Sequence, residues 1–329
     1  MTMKKIYGNR QVLRSLEKMA SSGQTAHSMM ICGEKGSGRK LIAKYYTMAL
    51  MCESPVEGRP CGNCNACQNI EKGIHPDVVY PAKTGKLGNY SVSAVRDVIS
   101  DAYIKPNNSS GCKVYIFADC RHVDQRTQNA LLKLIEEPPE YAFFIFTCDS
   151  KYEFLPTVIS RCVCFSTLPC TEEEAAESLA ESGYAQQDIR AAVGCFHGNI
   201  GMCESYIEDG ETKKRVDLTK SLADSIIEKN EYALSVKLSA MGGERNDVRE
   251  GLFMLDGIVR DAAVLAKDSS ARTTGCYREG AEALSHSLTA FQSARIHERI
   301  ENAWKAIDSN VGISLTLTAL GAEIMEIVG

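Results

Sequence analysis

The chain has 329 residues, of which 44% are hydrophobic and 24% charged, and its formal net charge is −5. This length allows two or three domains with cores of their own, and the acidic balance argues against a strongly basic, free-standing nucleic-acid binder. The sequence has no apolar run of about 18 residues that could span a membrane and no apolar segment of a secretory signal, so we expect a cytoplasmic protein.

The first predicted strand, residues 27–32, leads into a glycine-rich loop, and a helix is predicted over residues 39–50. This order of strand, turn and helix is the context of a phosphate-binding P-loop, G-x-x-x-x-G-K-[ST]. The glycines of the loop are Gly33, Gly36 and Gly38. Arg39 stands where the motif has its lysine, and Lys40 stands where it has a Mg²⁺-binding hydroxyl. Since Lys40 has no oxygen for a metal, we predict a degenerate nucleotide site; the alternative is that the glycines only form a turn.

A cluster of cysteines follows this helix with the spacing C-x8-C-x2-C-x2-C. Its members are Cys52, Cys61, Cys64 and Cys67. Thiolates this close can hold one tetrahedral ion, and four sulfur ligands favour zinc in a closed, structural site. The rival iron–sulfur interpretation needs a further cysteine where this chain has Glu71. Unliganded thiols are the third interpretation, and the remaining cysteines of the chain are interpreted as buried reduced thiols.

Two more buried strands are predicted over residues 113–118 and 143–147. Between them a helix is predicted over residues 125–136, and Pro138-Pro139 ends it. Strands alternating with helices favour a parallel sheet with helices on both faces.

Beyond about residue 165 helical patterns replace the strands. Thr171 and Glu174 have the spacing of a capping box that opens a helix. Apolar residues then recur at helical spacing in four segments, near residues 216–227, 252–266, 296–307 and 315–327. We therefore predict an α/β domain followed by an all-α part, with boundaries near residues 167 and 208.

The last motif is Ser160-Arg161-Cys162. Together with the glycine loop, the cysteine module, His75-Pro76-Asp77 and the stretch from Lys113 to Pro139, it resembles the AAA+ clamp-loader subunits of bacterial DNA polymerase III. The resemblance covers about the first 205 residues well and the rest weakly. It implies a RecA-like AAA+ domain over residues 1–166 with a zinc module at about 52–67, a helical lid domain over 167–208, and a helical collar domain over 209–329.

The resemblance also implies that further parts of the ATP site are lost. Ala118 and Asp119 stand where active members of the family have the Asp-Glu of the Walker B strand. Gly201 stands at the sensor-2 position, where active members have an arginine. Thr147 alone remains plausible, at the sensor-1 position. We therefore expect that the isolated chain is not an ATPase.

In this family, the Ser-Arg-Cys motif implies an arginine finger, Arg161, that acts on ATP bound to a neighbouring subunit; the alternative is an ordinary surface arginine. The implied function is that of a stator in the clamp loader, with the gamma/tau ATPase subunits and the clamp-opening delta subunit as partners. The sliding clamp and primed DNA would be indirect partners. A diverged gamma/tau-type ATPase and a zinc-dependent DNA-binding module are the competing functions, although the sequence offers no basic stripe for the latter. His75-Pro76-Asp77 is interpreted as structural.

Overall fold

The computed structural model describes residues 5–85, 89–121, 123–309 and 311–329. The chain forms two compact units. The first runs through Glu174 and also includes Asn199–Gly201, and the second comprises Ala175–Gly198 and Met202–Gly329. In the part of the chain that the structure describes, no helix has the length and apolar character that crossing a bilayer requires.

A parallel sheet forms the centre of the first unit. Its strands are β1 (Ser28–Cys32), β2 (Val78–Val79), β3 (Lys113–Cys120), β4 (Ala142–Cys148) and β5 (Val163–Ser166). The helices that connect them are α1 (Arg10–Ser22), α2 (Arg39–Met51), α3 (Asn65–Glu71), α4 (Val92–Ala102), α5 (Gln125–Glu136) and α6 (Pro156–Ile159). The five strands lie in the order β2-β3-β4-β1-β5, and every pair is parallel. The predicted parallel sheet is confirmed.

The sheet is covered on both faces, which explains why its central strands are almost continuously apolar. Every residue of β1 and β4 is buried. One face carries, among others, Met30, Tyr115, Phe117, Phe144 and Phe146. The opposite face carries, among others, Met29, Ile31, Val114, Ile116 and Ile145. Burial of each such large side chain contributes about 1.5–3 kcal/mol, so the sheet is a rigid base for the loops at its two edges.

The structure adds elements that the sequence patterns did not indicate. The predicted strand over residues 113–118 continues to Cys120 through an irregularity in register between Phe117 and Cys120. Within that irregularity Asp119 has a φ of 47°, in the left-handed region that is rare for a non-glycine residue. β5 was also missed, because this half-exposed strand at the edge of the sheet has only four residues and its apolar stretch, Val163 to Phe165, is too short to be recognised as a strand from the sequence.

The elements that follow β5 in the described chain are all helices. They are α7 (Glu172–Glu181), α8 (Gln186–Phe196), α9 (Ile200–Glu208), α10 (Gly210–Ile227), α11 (Glu231–Ser239), α12 (Arg245–Leu265), α13 (Arg278–Ser287), α14 (Ala290–Asp308) and α15 (Ile313–Val328). The capping box at Thr171 forms: the Glu174 N–H donates to Thr171 Oγ1 over 3.1 Å, and the Thr171 N–H donates to Glu174 Oε2 over 3.3 Å. One continuous apolar core includes Cys195 from α8 together with residues of α10 to α15. The boundaries near residues 167 and 208 remain predictions.

Candidate functional site

The glycine loop lies at the carboxyl edge of the sheet. It follows β1, which has β4 on one side and β5 on the other. The order of the strands reverses at β1, and open α/β sheets bind ligands at such a switch point, beyond the carboxyl ends of their strands. Asp119 near the end of β3 and Asp149 directly after β4 reach the same edge. The fold therefore places the loop and two carboxylates together.

Backbone geometry explains the glycines of the loop. Gly36 and Gly38 have φ of 86° and 87°, a conformation that glycine adopts without steric cost. A Cβ on Gly33 would lie 2.1 Å from Oγ1 of Thr167. The Ser37 hydroxyl donates to the Glu34 carbonyl oxygen over 2.7 Å and also lies 2.7 Å from Thr167 Oγ1. The loop is thus a tight turn that is fastened to the chain just beyond β5.

Arg39, the first residue of α2, is turned inward and is only 3% exposed. Its Nη1 donates to the Gly33 carbonyl oxygen and to the Asp149 carboxylate. Its Nη2 donates to Asp119 Oδ1 over 3.0 Å. Lys40 forms a second ion pair with Asp119. Arg39 and Lys40 at the start of α2 are therefore neutralised by carboxylates of the chain itself.

Electrostatics at this cluster favour the charged forms. Burial works to raise the pKa of Asp119, but the hydrogen bond from Lys40 and the charges of Lys40 and Arg39 outweigh it and hold the pKa below its usual value. Burial works to lower the pKa of Arg39, and the carboxylates of Asp149 and Asp119 outweigh it and raise that pKa. The cluster is a buried guanidinium with matched counter-ions.

Thr147 serves the backbone of β3. Its hydroxyl oxygen accepts the N–H of Asp119 over 2.8 Å, and the residue is fully buried. This bond holds the irregular turn that aims Asp119 at Arg39. Ala118, beside it, has no side-chain oxygen, and its carbonyl oxygen accepts the Tyr90 hydroxyl over 2.9 Å. Of these two neighbouring residues, only Asp119 therefore offers a carboxylate.

Residues 199–201 pack against the glycine loop. The Gly201 N–H donates to the Gly36 carbonyl oxygen over 3.1 Å, and Asn199 Nδ2 donates to the Lys35 carbonyl oxygen over 2.9 Å. A Cβ on Gly201 would lie 2.6 Å from Gly36 Cα. The backbone contact leaves no space for any side chain at this position.

The structure thus brings together the sequence-predicted residues of the loop with positions 119, 147 and 201. Asp149, Thr167 and Asn199 also belong to this cluster and were not predicted from the sequence. Asp149 could have been found, because it directly follows a predicted strand and polar residues at the carboxyl ends of parallel strands meet at one edge. Thr167 and Asn199 act through tertiary contacts that no local pattern indicates.

The cysteine cluster forms as predicted by its spacing. The Sγ atoms of Cys52, Cys61, Cys64 and Cys67 all lie within 4.8 Å of one another. Zinc with Zn–S bonds of about 2.3 Å requires tetrahedral sulfurs about 3.8 Å apart, and those of Cys52 and Cys64 are 4.0 Å apart. The four residues could hold a metal ion, and this donor set is compatible with structural zinc.

Backbone N–H groups support the sulfur atoms. The Cys61 N–H donates to Cys52 Sγ over 3.2 Å, and the Cys64 N–H donates to Cys61 Sγ over 3.4 Å. Backbone N–H groups of Asn63 and Cys64 lower the pKa of Cys61 to about 6. Such donors stabilise thiolates, the form that binds a metal.

The cysteine module is fixed to α1 through Glu17. Tyr45 donates to Glu17 Oε1 over 2.7 Å, and Arg59 Nε donates to Glu17 Oε2 over 3.1 Å. A Cβ on Gly58, whose φ is 78°, would lie 1.9 Å from the Glu17 carbonyl oxygen. This close packing fits a module that stabilises the fold.

The His75-Pro76-Asp77 segment is bonded to the chain around it. The Asp77 N–H donates to His75 Nδ1 over 3.2 Å, and Asn108 Nδ2 donates to Asp77 Oδ2 over 2.7 Å. Burial lowers the pKa of His75. The Asp77 carbonyl oxygen accepts the Val114 N–H over 2.9 Å, which secures the start of β3. These bonds fit the structural interpretation.

Arg161 lies at the amino ends of the strands, opposite the end that carries the glycine loop. Met29 pairs with Val163 and Cys32 pairs with Ser166, so Arg161 precedes β5 at the amino edge whereas Gly33 follows β1 at the carboxyl edge. With the 5 residues of β1 between them, at ~3.3 Å each, the two edges are roughly 16 Å apart. Arg161 therefore does not belong to the site formed by the glycine loop of its own chain.

The guanidinium of Arg161 is partly exposed and held from two sides. Its Nη2 pairs with Glu136 Oε1 at 2.7 Å, and its Nη1 donates to the Thr157 carbonyl oxygen over 2.8 Å. A cavity of about 360 Å³ lies beside it, with Glu136, Ser160 and His27 among its lining residues. Glu136 was not predicted as a partner of Arg161, because the ion pair joins residues far apart in the chain.

Several known proteins are similar to this chain over about half of its length or more. A family model described as "DNA polymerase III, delta subunit" matches residues 8–170. The gamma subunit of DNA polymerase III from Buchnera aphidicola (Schizaphis graminum) is 30% identical over 173 residues, 53% of this chain and 47% of that protein. The chain thus spans about half the length of that relative.

Two delta' subunits of DNA polymerase III are also similar. The subunit from Escherichia coli K12 is 28% identical over 250 residues, 75% of this chain and 73% of that protein. The subunit from Pseudomonas aeruginosa is 31% identical over 163 residues, 49% of this chain and 48% of that protein.

Proposed function

This chain belongs to the clamp-loader family of bacterial DNA polymerase III, and we propose that it serves there as a stator of the delta' kind. A stator in this sense holds its place in the loader and contributes an arginine to a neighbour, but does not hydrolyse ATP itself. Its partners would be the gamma/tau ATPase subunits and the clamp-opening delta subunit. The assembled loader would use ATP to place the sliding clamp on primed DNA.

The observation that carries the proposal is the pairing of Arg39 with carboxylates of its own chain. In a working P-loop the lysine reaches the β- and γ-phosphates of the nucleotide. Here the corresponding guanidinium is buried between Asp119 and Asp149. A triphosphate would have to displace both carboxylates and would then meet their negative charge at close range.

Two further features support a site without hydrolysis. The position of the metal-supporting aspartate is occupied by Ala118, whose methyl group cannot support Mg²⁺. The sensor-2 position is occupied by Gly201, where a backbone contact with Gly36 excludes a side chain. Restoration of the loop alone would therefore leave two other contacts missing.

The place of Arg161 supports action on a neighbouring subunit. A guanidinium stabilises the charge that spreads over the phosphoryl group during transfer, and it can be supplied in trans. Arg161 is partly exposed, and the length of the strands separates it from the glycine loop of its own chain. The cysteine module, with zinc held by Cys52, Cys61, Cys64 and Cys67, would stabilise the first unit and take no part in the chemistry.

One observation favours a second candidate function, a diverged ATPase of the gamma/tau kind. The Buchnera gamma subunit is 30% identical to this chain over 173 residues. Steady-state ATP hydrolysis distinguishes the two functions. We expect no turnover by the purified chain, and lower DNA- and clamp-stimulated turnover by a reconstituted loader that carries Arg161→Ala. Turnover by the purified chain that persists after removal of contaminating ATPases would contradict the stator.

A further inference from the structure

The side chain of Arg161 is anchored by two separate elements. Glu136 is the last residue of α5 and accepts from Nη2 over 2.7 Å, whereas the Thr157 carbonyl oxygen belongs to α6 and accepts from Nη1 over 2.8 Å. Two anchors on different nitrogens fix both the direction and the plane of the guanidinium, because its donors form a rigid fork.

The two anchors are themselves held in a fixed relation. Gln128 of α5 accepts the Leu155 N–H on its Oε1 over 2.7 Å, and its Nε2 donates to the Glu153 carbonyl oxygen over 3.2 Å. These bonds join α5 to the segment that opens α6. α5 ends at Glu136, and Pro138-Pro139 follows, so the chain leaves the helix directly after the anchoring carboxylate.

The anchored guanidinium still has donors to offer. An arginine carries five N–H donors, and the bonds to Glu136 and Thr157 each use one. Nη1 also lies 3.3 Å from the Ser160 hydroxyl oxygen, with poorer geometry for a strong bond. A cavity of about 360 Å³ is lined by Arg161 together with Glu136 and Ser160, so there is open space beside the anchored guanidinium.

From this geometry we infer that Glu136 is a positioning residue for Arg161. The inference rests on the proposed function, since it assigns Glu136 a role only if Arg161 acts on a neighbour's nucleotide. Glu136 holds the fork in one orientation before the neighbour docks, and the remaining donors meet the phosphates. Loss of this orientation matters because a displacement of about 1 Å near reacting groups can cost up to about 100-fold in rate.

The pair is a poor candidate for a mere stabilising contact. The side chains of Arg161 and Glu136 are 38% and 44% exposed, and ion pairs at that exposure add only about 0–1 kcal/mol to stability. Removal of the carboxylate should therefore leave the fold intact and affect the rate of the assembled loader.

The test uses the complete chain in a reconstituted loader with DNA and clamp present. Glu136→Ala should lower kcat of ATP hydrolysis, and this loss should be at least roughly half of the loss caused by Arg161→Ala. KM for ATP should be unchanged, because only the orientation of the fork is lost. Glu136→Gln should retain most of the activity, since its amide oxygen still accepts a hydrogen bond. Glu137→Ala removes the adjacent exposed carboxylate as a control and should behave as the unmodified chain.

A double variant tests whether Glu136 acts through Arg161. In an Arg161→Ala background, Glu136→Ala should cause no further loss, because a positioning residue has nothing left to position. Unchanged rates for Glu136→Ala while Arg161→Ala is slow would overturn the inference and leave the stator intact. An equal loss with Glu136→Gln, or an additive loss in the double variant, would also overturn it. Normal rates for Arg161→Ala would instead refute the arginine finger itself.

Discussion

The backbone N–H of Gly201 donates to the carbonyl oxygen of Gly36 over 3.1 Å, so the start of α9 lies directly on the glycine loop. A side chain at position 201 has no space, because its Cβ would lie 2.6 Å from Gly36 Cα. The same contact covers the glycine loop and excludes a side chain at position 201. An arginine at this position would require the backbone to move.

Gly201→Ala should destabilise the first unit by about 1–3 kcal/mol, because the added methyl group forces two backbones apart. Gly210→Ala is the matched control, since a Cβ there meets nothing within 4 Å and the residue also lies in the first turn of a helix. The control should be neutral or gain up to about 1 kcal/mol. Urea unfolding followed by far-UV circular dichroism measures both, and equal stability of the two variants would contradict the contact.

Sequence patterns predicted the parts of this site that follow local rules. The glycine loop, the helix over residues 125–136 and the cysteine cluster are encoded by spacing, and the structure places them as expected. The irregular turn at Asp119 was not predictable from spacing, because it depends on the hydroxyl of Thr147 on a neighbouring strand. The inward turn of Arg39 depends likewise on Asp149, which the pairing of β4 with β1 brings to the end of the strand that leads into the glycine loop.

The same reasoning explains the missed elements of the sheet. β5 pairs with β1 through only four residues, two of which are exposed, so it is shorter and less buried than the central strands. β2 has two residues and is recognised only by its pairing with β3. Short edge strands are formed by their neighbours rather than by their own composition.

The Asp119 carboxylate gives the first unit a predictable dependence on pH. Its pKa is lowered in the folded chain, so the folded state binds fewer protons than the unfolded state as the pH falls through the ordinary aspartate value of about 3.9. Stability from this group is complete above that value and is lost below it. Asp119→Asn should therefore reduce the free energy of unfolding at neutral pH and make its decline below about pH 4 less steep. Asp97→Asn, which changes an exposed aspartate on α4, is the control and should decline as the unmodified chain does. If Asp119→Asn also loses stability as steeply as the unmodified chain below about pH 4, the assignment is contradicted.

Restoration of the P-loop residues should not restore hydrolysis. Arg39→Lys combined with Lys40→Thr returns the motif to its usual form, but Ala118 still offers no oxygen to Mg²⁺ and Gly201 still covers the loop. The double variant should show no Mg²⁺-dependent turnover above that of the unmodified chain, as measured by phosphate release. Turnover in the double variant alone would mean that the loop was the only defect.

The cysteine module should carry one zinc ion per chain in protein purified without chelator. Cys61→Ser should abolish zinc binding and lower the stability of the first unit, because metal binding is coupled to folding in such modules. Cys112→Ser is the control, since that thiol is partly buried and lies outside the cluster. Elemental analysis measures the metal, and iron or an absence of metal in the unmodified chain would contradict the assignment.

Arg161→Lys tests whether geometry or charge carries the proposed trans action. A lysine keeps the positive charge but loses the planar fork, and so it cannot hold Glu136 and a phosphate oxygen with separate, pre-oriented donors. An arginine finger raises the rate at the one site that depends on it by about 10³–10⁵-fold. A loader with several ATP sites loses only the part of its total ATP hydrolysis that comes from the site facing this subunit. The rate of DNA- and clamp-stimulated ATP hydrolysis should therefore decrease from the unmodified chain to Arg161→Lys and then to Arg161→Ala, with assembly unchanged on gel filtration.

Arg126→Ala is the control: it removes an exposed arginine from the first turn of α5 and should leave the rate unchanged. Full activity with lysine would show that charge alone suffices, and the fork held by Glu136 would then have no part in the reaction.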